Sequence, residues 1–227
     1  MAGDVKPRYT TSGGNRAAVR GNVMKAYGIW AAIAAVVLPL GAANAANLLK
    51  DGGFEGGSVP PGQYSTFSPG QKMDDWKVIA SAAVAPCPEL LVSTAYQQDG
   101  IAFTARSGKH WLDLGDLSGG SCYNGASEGI QQTVPTTLGA SYTLSFWVGS
   151  IYDPTTVFTK MPRFYAFQNG VILVSSVIYG VPGTAQQWKQ YTASFTATSD
   201  RTTISFLAPT LNPQDVGLDD VDLEPAQ

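Results

Sequence analysis

The chain has 227 residues, of which only 14% are charged, and it carries 14 Lys and Arg against 17 Asp and Glu. An acidic balance without a basic cluster excludes nucleic acid and an anionic membrane surface as favoured partners. The charged fraction lies well below the usual value of about 25%, as in extracellular β proteins whose surfaces are polar rather than ionic.

The first recognisable element is an export signal at residues 24–45. Met24 and Lys25 precede an apolar run from Ile29 to Leu40, and small residues follow up to Ala45. This order is typical of a secretory signal peptide, and the run is shorter than the about 20 residues that span a bilayer. We predict cleavage after Ala45, a secreted or periplasmic location, and no stable membrane span after processing. A transmembrane anchor or a buried helix is the alternative.

Residues 1–23 hold scattered basic residues and no apolar periodicity. They are predicted to be disordered, or to be an extension wrongly included upstream of a true start at Met24; a long basic signal region is the alternative. Residues 46–227 form the predicted folded domain. Removing residues 1–45 takes away five basic residues and one acidic residue, which leaves 9 basic and 16 acidic residues and a net charge of −7.

The chain has two cysteines, Cys87 and Cys122. Because an exported chain meets an oxidising compartment, we predict that they form a disulfide. The bridge would close a loop of about 35 residues and add about 3–4 kcal/mol by the loop-entropy relation. Two free thiols are the alternative.

From Ala46 onward the pattern predicts short strands separated by turns. Asn47–Lys50 is the expected first strand, and Ser141–Val148 alternates with Tyr142, Leu144, Phe146 and Val148 on one face. Three hairpins are predicted: Ile101–Ala105 with His110–Leu114, Arg163–Gln168 with Val171–Ile178 around Asn169-Gly170, and Trp188–Thr198 with Thr202–Leu207. With Val216–Leu223 as the last strand, nine to eleven strands predict an all-β jelly-roll sandwich.

Several segments together resemble one superfamily. They are Asn47-Leu-Leu-Lys-Asp-Gly-Gly-Phe54-Glu55, Trp76, Gly108-Lys-His-Trp-Leu-Asp-Leu114, Gly129-Ile-Gln-Gln-Thr-Val134, Gly139-Ala-Ser-Tyr142-Thr-Leu-Ser-Phe146, Trp188-Lys-Gln-Tyr191-Thr-Ala-Ser-Phe195 and Gly217-Leu-Asp-Asp-Val-Asp-Leu223. The chain is similar to the galactose-binding-domain-like β-sandwiches, which include exported cell-wall-associated domains and carbohydrate-binding modules of the xylan and glucan type.

The resemblance implies a structural Ca²⁺ where the first and last strands meet. Glu55 and one residue of the Asp219-Asp220 pair would supply carboxylate oxygens, with backbone carbonyls completing the shell. Neighbouring strand residues point to opposite faces, and the motif favours Asp219. The alternative is that these carboxylates hold turn backbone without an ion.

Loop aromatic residues with polar neighbours are the candidate glycan site. Tyr96, Tyr123 and Tyr152 could stack on sugar rings, while Asn124 and Asp153 could bond hydroxyl groups. The alternative is that the loop rings only cover the ends of the sandwich. Trp147 is a further possible platform, because it faces away from Tyr142, Leu144 and Phe146.

Catalysis has weaker signals. His110 is the only histidine of the chain, and no Gly-x-Ser-x-Gly elbow occurs. Asp113, Asp116 and Glu128 could form a carboxylate pair for glycoside cleavage, although turn capping explains them more simply.

We therefore predict a non-catalytic, secreted domain that binds extracellular or cell-wall glycan. A structural or adhesive surface protein without a small-ligand site is the first alternative, and a glycan-active hydrolase is the second.

Overall fold

The computed structural model describes residues 46–80, 88–115, 127–156, 158–159, 161–178, 182–183, 185–209 and 215–226. All of them belong to the unit Ala43–Gln227. The predicted signal peptide, the predicted disulfide of Cys87 and Cys122, and the candidates Asp116, Tyr123 and Asn124 lie outside the described residues.

The described residues form fourteen strands and no helix. In chain order the strands are β1 (Tyr64–Phe67), β2 (Lys72–Met73), β3 (Trp76–Ala80), β4 (Glu89–Ser93), β5 (Tyr96–Gln98), β6 (Ile101–Phe103), β7 (His110–Asp113), β8 (Ser127–Pro135), β9 (Ser141–Ser150), β10 (Arg163–Gln168), β11 (Val171–Val177), β12 (Gln187–Thr196), β13 (Arg201–Pro209) and β14 (Gly217–Pro225).

Two six-stranded antiparallel sheets carry the fold. The first sheet has the order β1-β4-β7-β14-β9-β12, and the second sheet has the order β11-β10-β13-β8-β3-β2; β5 and β6 pair separately. The all-β sandwich predicted from the sequence is confirmed. The strand number exceeds the predicted nine to eleven because β1, β2 and β5 have only two to four residues.

The main core lies between the inner faces of the two sheets. Alternation along β9 buries Tyr142, Leu144, Phe146 and Val148, as predicted. The Phe146 ring centroid lies 4.9 Å from that of Phe206 on β13, edge to face. Each buried side chain of this size contributes about 1.5–3 kcal/mol of apolar burial.

A second apolar cluster covers part of the outer face of the first sheet. Trp111 on β7 is fully buried there, with its ring stacked 6.0 Å from Phe103 of β6. Phe158 contacts Phe103 at 5.5 Å from the loop after β9. The hairpin β5–β6 and this loop therefore cover the first sheet, and no equivalent apolar layer covers the second sheet among the described residues.

The predicted first strand is wrong as a strand. Asn47–Lys50 forms no ladder; instead the Asn47 side-chain amide donates to the carbonyl of Val221, and its Oδ1 accepts the backbone N–H of Leu223. The Leu48 N–H donates to the carbonyl of Leu223 at 2.9 Å. The segment still joins the last strand, but through one asparagine side chain rather than a register of backbone bonds.

Two of the three predicted hairpins are also wrong in their pairing. β6 pairs with β5 and β7 pairs with β4 and β14, while β12 and β13 belong to different sheets. The hairpin β10–β11 is confirmed, with φ of 49° at Asn169 and 78° at Gly170. Positive φ at both turn residues is what a type I′ turn requires.

The described residues contain no helix long and apolar enough to cross a membrane.

Candidate functional site

Glu55 and Asp219 hold the same loop, which connects β6 to β7. Glu55 Oε1 accepts the backbone N–H groups of Lys109 at 2.7 Å and of His110 at 2.9 Å. Asp219 Oδ2 accepts those of Arg106 at 2.9 Å and Ser107 at 3.2 Å. The structure thus brings the two predicted metal ligands to one junction, where they bond turn backbone, as the alternative interpretation required.

A β-bulge in β14 separates the roles of the two neighbouring aspartates. The register between β14 and β9 shifts between Asp219 and Asp222, and Asp220 has a φ of 48°. Asp219 is fully buried, whereas Asp220 is half-buried and its Oδ1 accepts the Ser107 hydroxyl at 2.6 Å. Burial, and then the charge of Asp220, raises the pKa of Asp219 to about 7.

The donors at this junction suit Ca²⁺ chemically. A Cβ added at Gly53 would lie 3.8–4.0 Å from Asp220 Oδ1, Glu55 Cγ and Asp219 Oδ1, so these acidic side chains surround one small space. Carboxylates are hard oxygen ligands, and Ca²⁺ takes six to eight of them. Among the described residues no group of three or more His, Cys, Asp or Glu side chains could hold a metal. Backbone carbonyls or water would have to complete the shell, and calcium stays a prediction.

The described candidates for sugar binding in the loops are held by other contacts. Tyr96 is half-buried against Phe103 and Tyr64, with ring centroids at 5.9 and 5.7 Å. Burial raises the pKa of its hydroxyl, which donates to Gln98. Asp153 Oδ1 accepts the Thr155 N–H and hydroxyl, and these bonds lower its pKa. Tyr152 is half-buried and forms an isolated bridge with Pro182.

Trp147 lies on the outer face of the first sheet, as the alternation along β9 predicts. Its side chain is half-buried, and the Arg106 guanidinium carbon lies 4.1 Å from the ring centroid. Arg106 also approaches Asp220 at 4.0 Å. One ring face is therefore covered by the same loop that Glu55 and Asp219 hold.

A row of side chains crosses the outer face of the second sheet. The strand registers place its members directly opposite one another, and by alternation they point away from the core. We call it the central row: Ile172, Phe167, Ser205, Gln131, Lys77 and Lys72, from β11 to β2.

Two aromatic rings occupy this face. Tyr165 and Phe167 are half-buried, with centroids 6.0 Å apart, and neither belongs to an apolar cluster of the described residues. Their strand neighbours Phe164 and Ala166 point into the core. Polar groups accompany the rings, and Thr133 and Thr203 share a hydroxyl bond of 2.7 Å.

A groove of about 480 Å³ lies at the β8 side of the same face. We call it the basic groove; its polar lining is Lys50, Asp75, Lys77, Gln131, Gln132, Thr133 and Arg201. Lys50 is positioned by Gln132, whose side chain exchanges two hydrogen bonds with the Lys50 backbone, at 2.8 and 2.9 Å. The groove adjoins the central row at Gln131 and Lys77.

Neither the rings nor the groove was identified as a site from the sequence. One signal was present: Phe164-Tyr165-Ala166-Phe167 places aromatic residues on both faces of a predicted strand, so they cannot all face the core. The basic groove had no local signal, because Lys50, Lys77 and Arg201 are far apart in the chain.

The described carboxylates suggested for glycoside cleavage are buried. Asp113 is fully buried and its Oδ1 accepts the Gly115 N–H at 2.8 Å, while Glu128 is 1% exposed on β8. His110 is also buried, with Nδ1 at 3.6 Å from Glu55 Oε2. These positions fit structural roles better than contact with a polysaccharide.

The chain is similar to several solved structures. A family 61 carbohydrate-binding module in complex with β-1,4-galactotriose has 16% identity and a TM-score of 0.43, and the match covers 80% of this chain and 99% of that one. A family 16 carbohydrate-binding module has 17% identity and a TM-score of 0.43, over 78% and 99%. The K1 cleaved adhesin domain of Lys-gingipain from Porphyromonas gingivalis has 16% identity and a TM-score of 0.48, over 72% and 98%.

These solved structures include carbohydrate-binding modules, the class that the sequence resemblance named. No curated protein matches the chain. A family model described as a protein of unknown function (DUF642) matches residues 47–217, which is more than half of the chain. The chain therefore belongs to the DUF642 family.

Proposed function

We propose that this chain is an exported, non-catalytic domain that binds glycan on the outer face of the second sheet. The observation that carries the proposal is the pair of half-buried rings, Tyr165 and Phe167, on a face that no apolar cluster covers among the described residues. Sugar rings stack on aromatic faces through their C–H groups, and the amphipathic tyrosine adds a hydroxyl.

The surroundings of the rings suit a carbohydrate chain. Gln131 lies two strands from Phe167 in the central row and is half-buried, so its amide can exchange hydrogen bonds with sugar hydroxyls, whereas Ser205 between them is only 8% exposed. Six strands at about 4.8 Å spacing make the row about 24 Å long. This length favours a polysaccharide segment over a single sugar.

The first test compares two tyrosines in a pull-down on insoluble polysaccharides. We expect Tyr165→Ala to weaken binding by about tenfold, equivalent to about 1.4 kcal/mol, in a protein that still unfolds cooperatively. Tyr152→Ala, in the loop predicted from sequence, is the matched control and should bind like the wild type. Loss of binding in Tyr152→Ala alone would move the site to the loops. A wild type that binds no glycan would favour a structural or adhesive role.

Two further measurements address the rest of the proposal. The intact mass of the exported protein should correspond to a chain that begins at Ala46. The polysaccharides that the protein binds should release no reducing sugar on incubation with it, and release would favour the hydrolase.

A further inference from the structure

The outer face of the second sheet carries a concentration of positive charge. Residues 46–227 contain nine Lys and Arg and have a net charge of −7. Five of the nine border this face: Lys50, Lys72, Lys77, Arg163 and Arg201. More than half of the Lys and Arg residues of this acidic domain therefore lie around the face that holds Tyr165 and Phe167.

The cations of the basic groove have no ion-pair partner within 4.0 Å among the described residues. Among the described residues the ion pairs join Arg106 to Asp220 and His110 to Glu55, so Lys77 and Arg201 form none. Of the described residues that line the groove, only Asp75 is acidic. A polyanion carries condensed counterions, and unpaired cations of a protein gain affinity for it by releasing those counterions.

We infer that the glycan bound on this face is an anionic polysaccharide, one whose sugars carry carboxylate or sulfate groups. The inference rests on the proposed function and names the substrate class of the same site. Phe167 and Lys77 stand in one row, three strands apart, or about 14 Å. A chain that stacks on the ring and runs across the strands therefore reaches the basic groove.

The groove offers two kinds of anion donor. The Arg201 guanidinium can bond a carboxylate or sulfate through two parallel N–H groups, whereas Lys50 and Lys77 act as point charges. A neutral glycan would use only the rings and the hydroxyl and amide groups. Salt dependence therefore separates the two kinds of ligand, because only the anionic chain exchanges counterions.

The test measures affinity of the exported protein for polygalacturonate, for a sulfated galactan and for neutral xylan and galactan, at low and high NaCl. We expect the anionic polymers to bind more tightly and to weaken with salt. Lys77→Gln with Arg201→Gln should weaken anionic binding by about tenfold, equivalent to about 1.4 kcal/mol, because two exposed ion pairs with the ligand are lost. Lys109→Gln with Lys189→Gln removes the same charge elsewhere and should leave affinity unchanged.

Each outcome decides between the two proposals. Binding of polygalacturonate or of the sulfated polymer supports the inference and shows which anion is recognised. The inference is overturned if neutral glycan binds through Tyr165 and Phe167, and if this binding neither depends on salt nor weakens in the Lys77/Arg201 variant. The proposed function would then stand. Equal weakening in the Lys109/Lys189 control also overturns it, because the attraction would then be unspecific. No binding of any polymer overturns the proposed function itself.

Discussion

At the scale of single residues, Gly108 determines whether Glu55 can hold its loop. Gly108 has a φ of 61°, and a Cβ at this position would overlap Glu55 Oε1. The carboxylate reaches the N–H groups of Lys109 and His110 only because this glycine has no side chain. One residue therefore satisfies both a backbone requirement and a packing requirement.

The substitution Gly108→Ala should destabilise more than Gly139→Ala. Gly139 also has a positive φ, of 79°, but no atom lies within 4 Å of an added Cβ. Both variants bear the cost of a left-handed alanine, about 1–2 kcal/mol. Gly108→Ala additionally displaces the Glu55 carboxylate, and we expect a further loss of about 1–2 kcal/mol from charged hydrogen bonds. Urea unfolding measures the loss of free energy of unfolding in each variant, and equal losses in the two would contradict the packing argument.

Asp215 provides a second residue-level test, through pH. It is fully buried, and burial together with the neighbouring Asp113 raises its pKa well above 3.8, although Gln186 donates to both its oxygens. The unfolded chain therefore loses this proton at lower pH than the folded chain. The contribution of Asp215 to stability is neutral below about pH 4, becomes increasingly destabilising as pH rises above that value, and levels off above the folded pKa.

We expect Asp215→Asn to have a higher free energy of unfolding than the wild type at neutral pH, and a similar one near pH 3. Asparagine keeps an oxygen that can accept the Gln186 amide. Asp200→Asn removes an exposed carboxyl group and serves as the control. Denaturant titrations across this pH range test the sign. A difference between Asp215→Asn and the wild type that does not grow with pH would contradict it.

At the scale of elements, alternation and turn chemistry were readable from the sequence, whereas partners were not. Ser141–Val148 and the Asn169-Gly170 hairpin are local patterns, and the structure confirms both. The pairing of β12 with β9 and of β13 with β8 joins distant segments. Proximity in the sequence suggested a β12–β13 hairpin because a turn at Ser199–Arg201 fits either arrangement.

The same distinction explains the candidate sites. Motifs at the two ends of the domain were enough to predict that Glu55 and Asp219 lie at one junction, and both bond the β6–β7 loop. The basic groove could not, because Lys50, Lys77 and Arg201 become neighbours only through the order of strands in the second sheet. The sequence predicted the loop aromatic residues as the sugar site, but Tyr96 belongs to β5 and packs against Phe103 of β6.

The junction of the N-terminal segment, the β6–β7 loop and β14 provides an element-level test of calcium. A Ca²⁺ held by Glu55 and Asp219 would join these three elements and stabilise by about 2.7 kcal/mol at a concentration one hundred times its Kd. EDTA should therefore lower the melting temperature of the wild type by several degrees. Glu55→Gln should lose this response. An unchanged wild-type melting temperature would show that the carboxylates serve the backbone alone.

At the scale of the whole molecule, two chain connections link the sheets. Both run between the paired strands β3 and β8 of the second sheet and the paired strands β4 and β7 of the first. The chain passes from β3 in the second sheet to β4 in the first, and returns from β7 in the first sheet to β8 in the second. Ala80 pairs with Glu128 where these connections meet the second sheet, and Leu90 pairs with Asp113 where they meet the first. Their flanking residues are thus adjacent at both sheets.

In the sequence Cys87 lies between β3 and β4 and Cys122 between β7 and β8, and the disulfide between them stays a prediction. A disulfide between them would restrict a loop of about 35 residues, worth about 3–4 kcal/mol. Reduction with dithiothreitol should lower the free energy of unfolding of the wild type, measured by urea titration, by that amount. The double variant Cys87→Ser with Cys122→Ser should have the same free energy of unfolding as the reduced wild type, and the reductant should not change it. Two titratable thiols in the native exported protein would contradict the bridge.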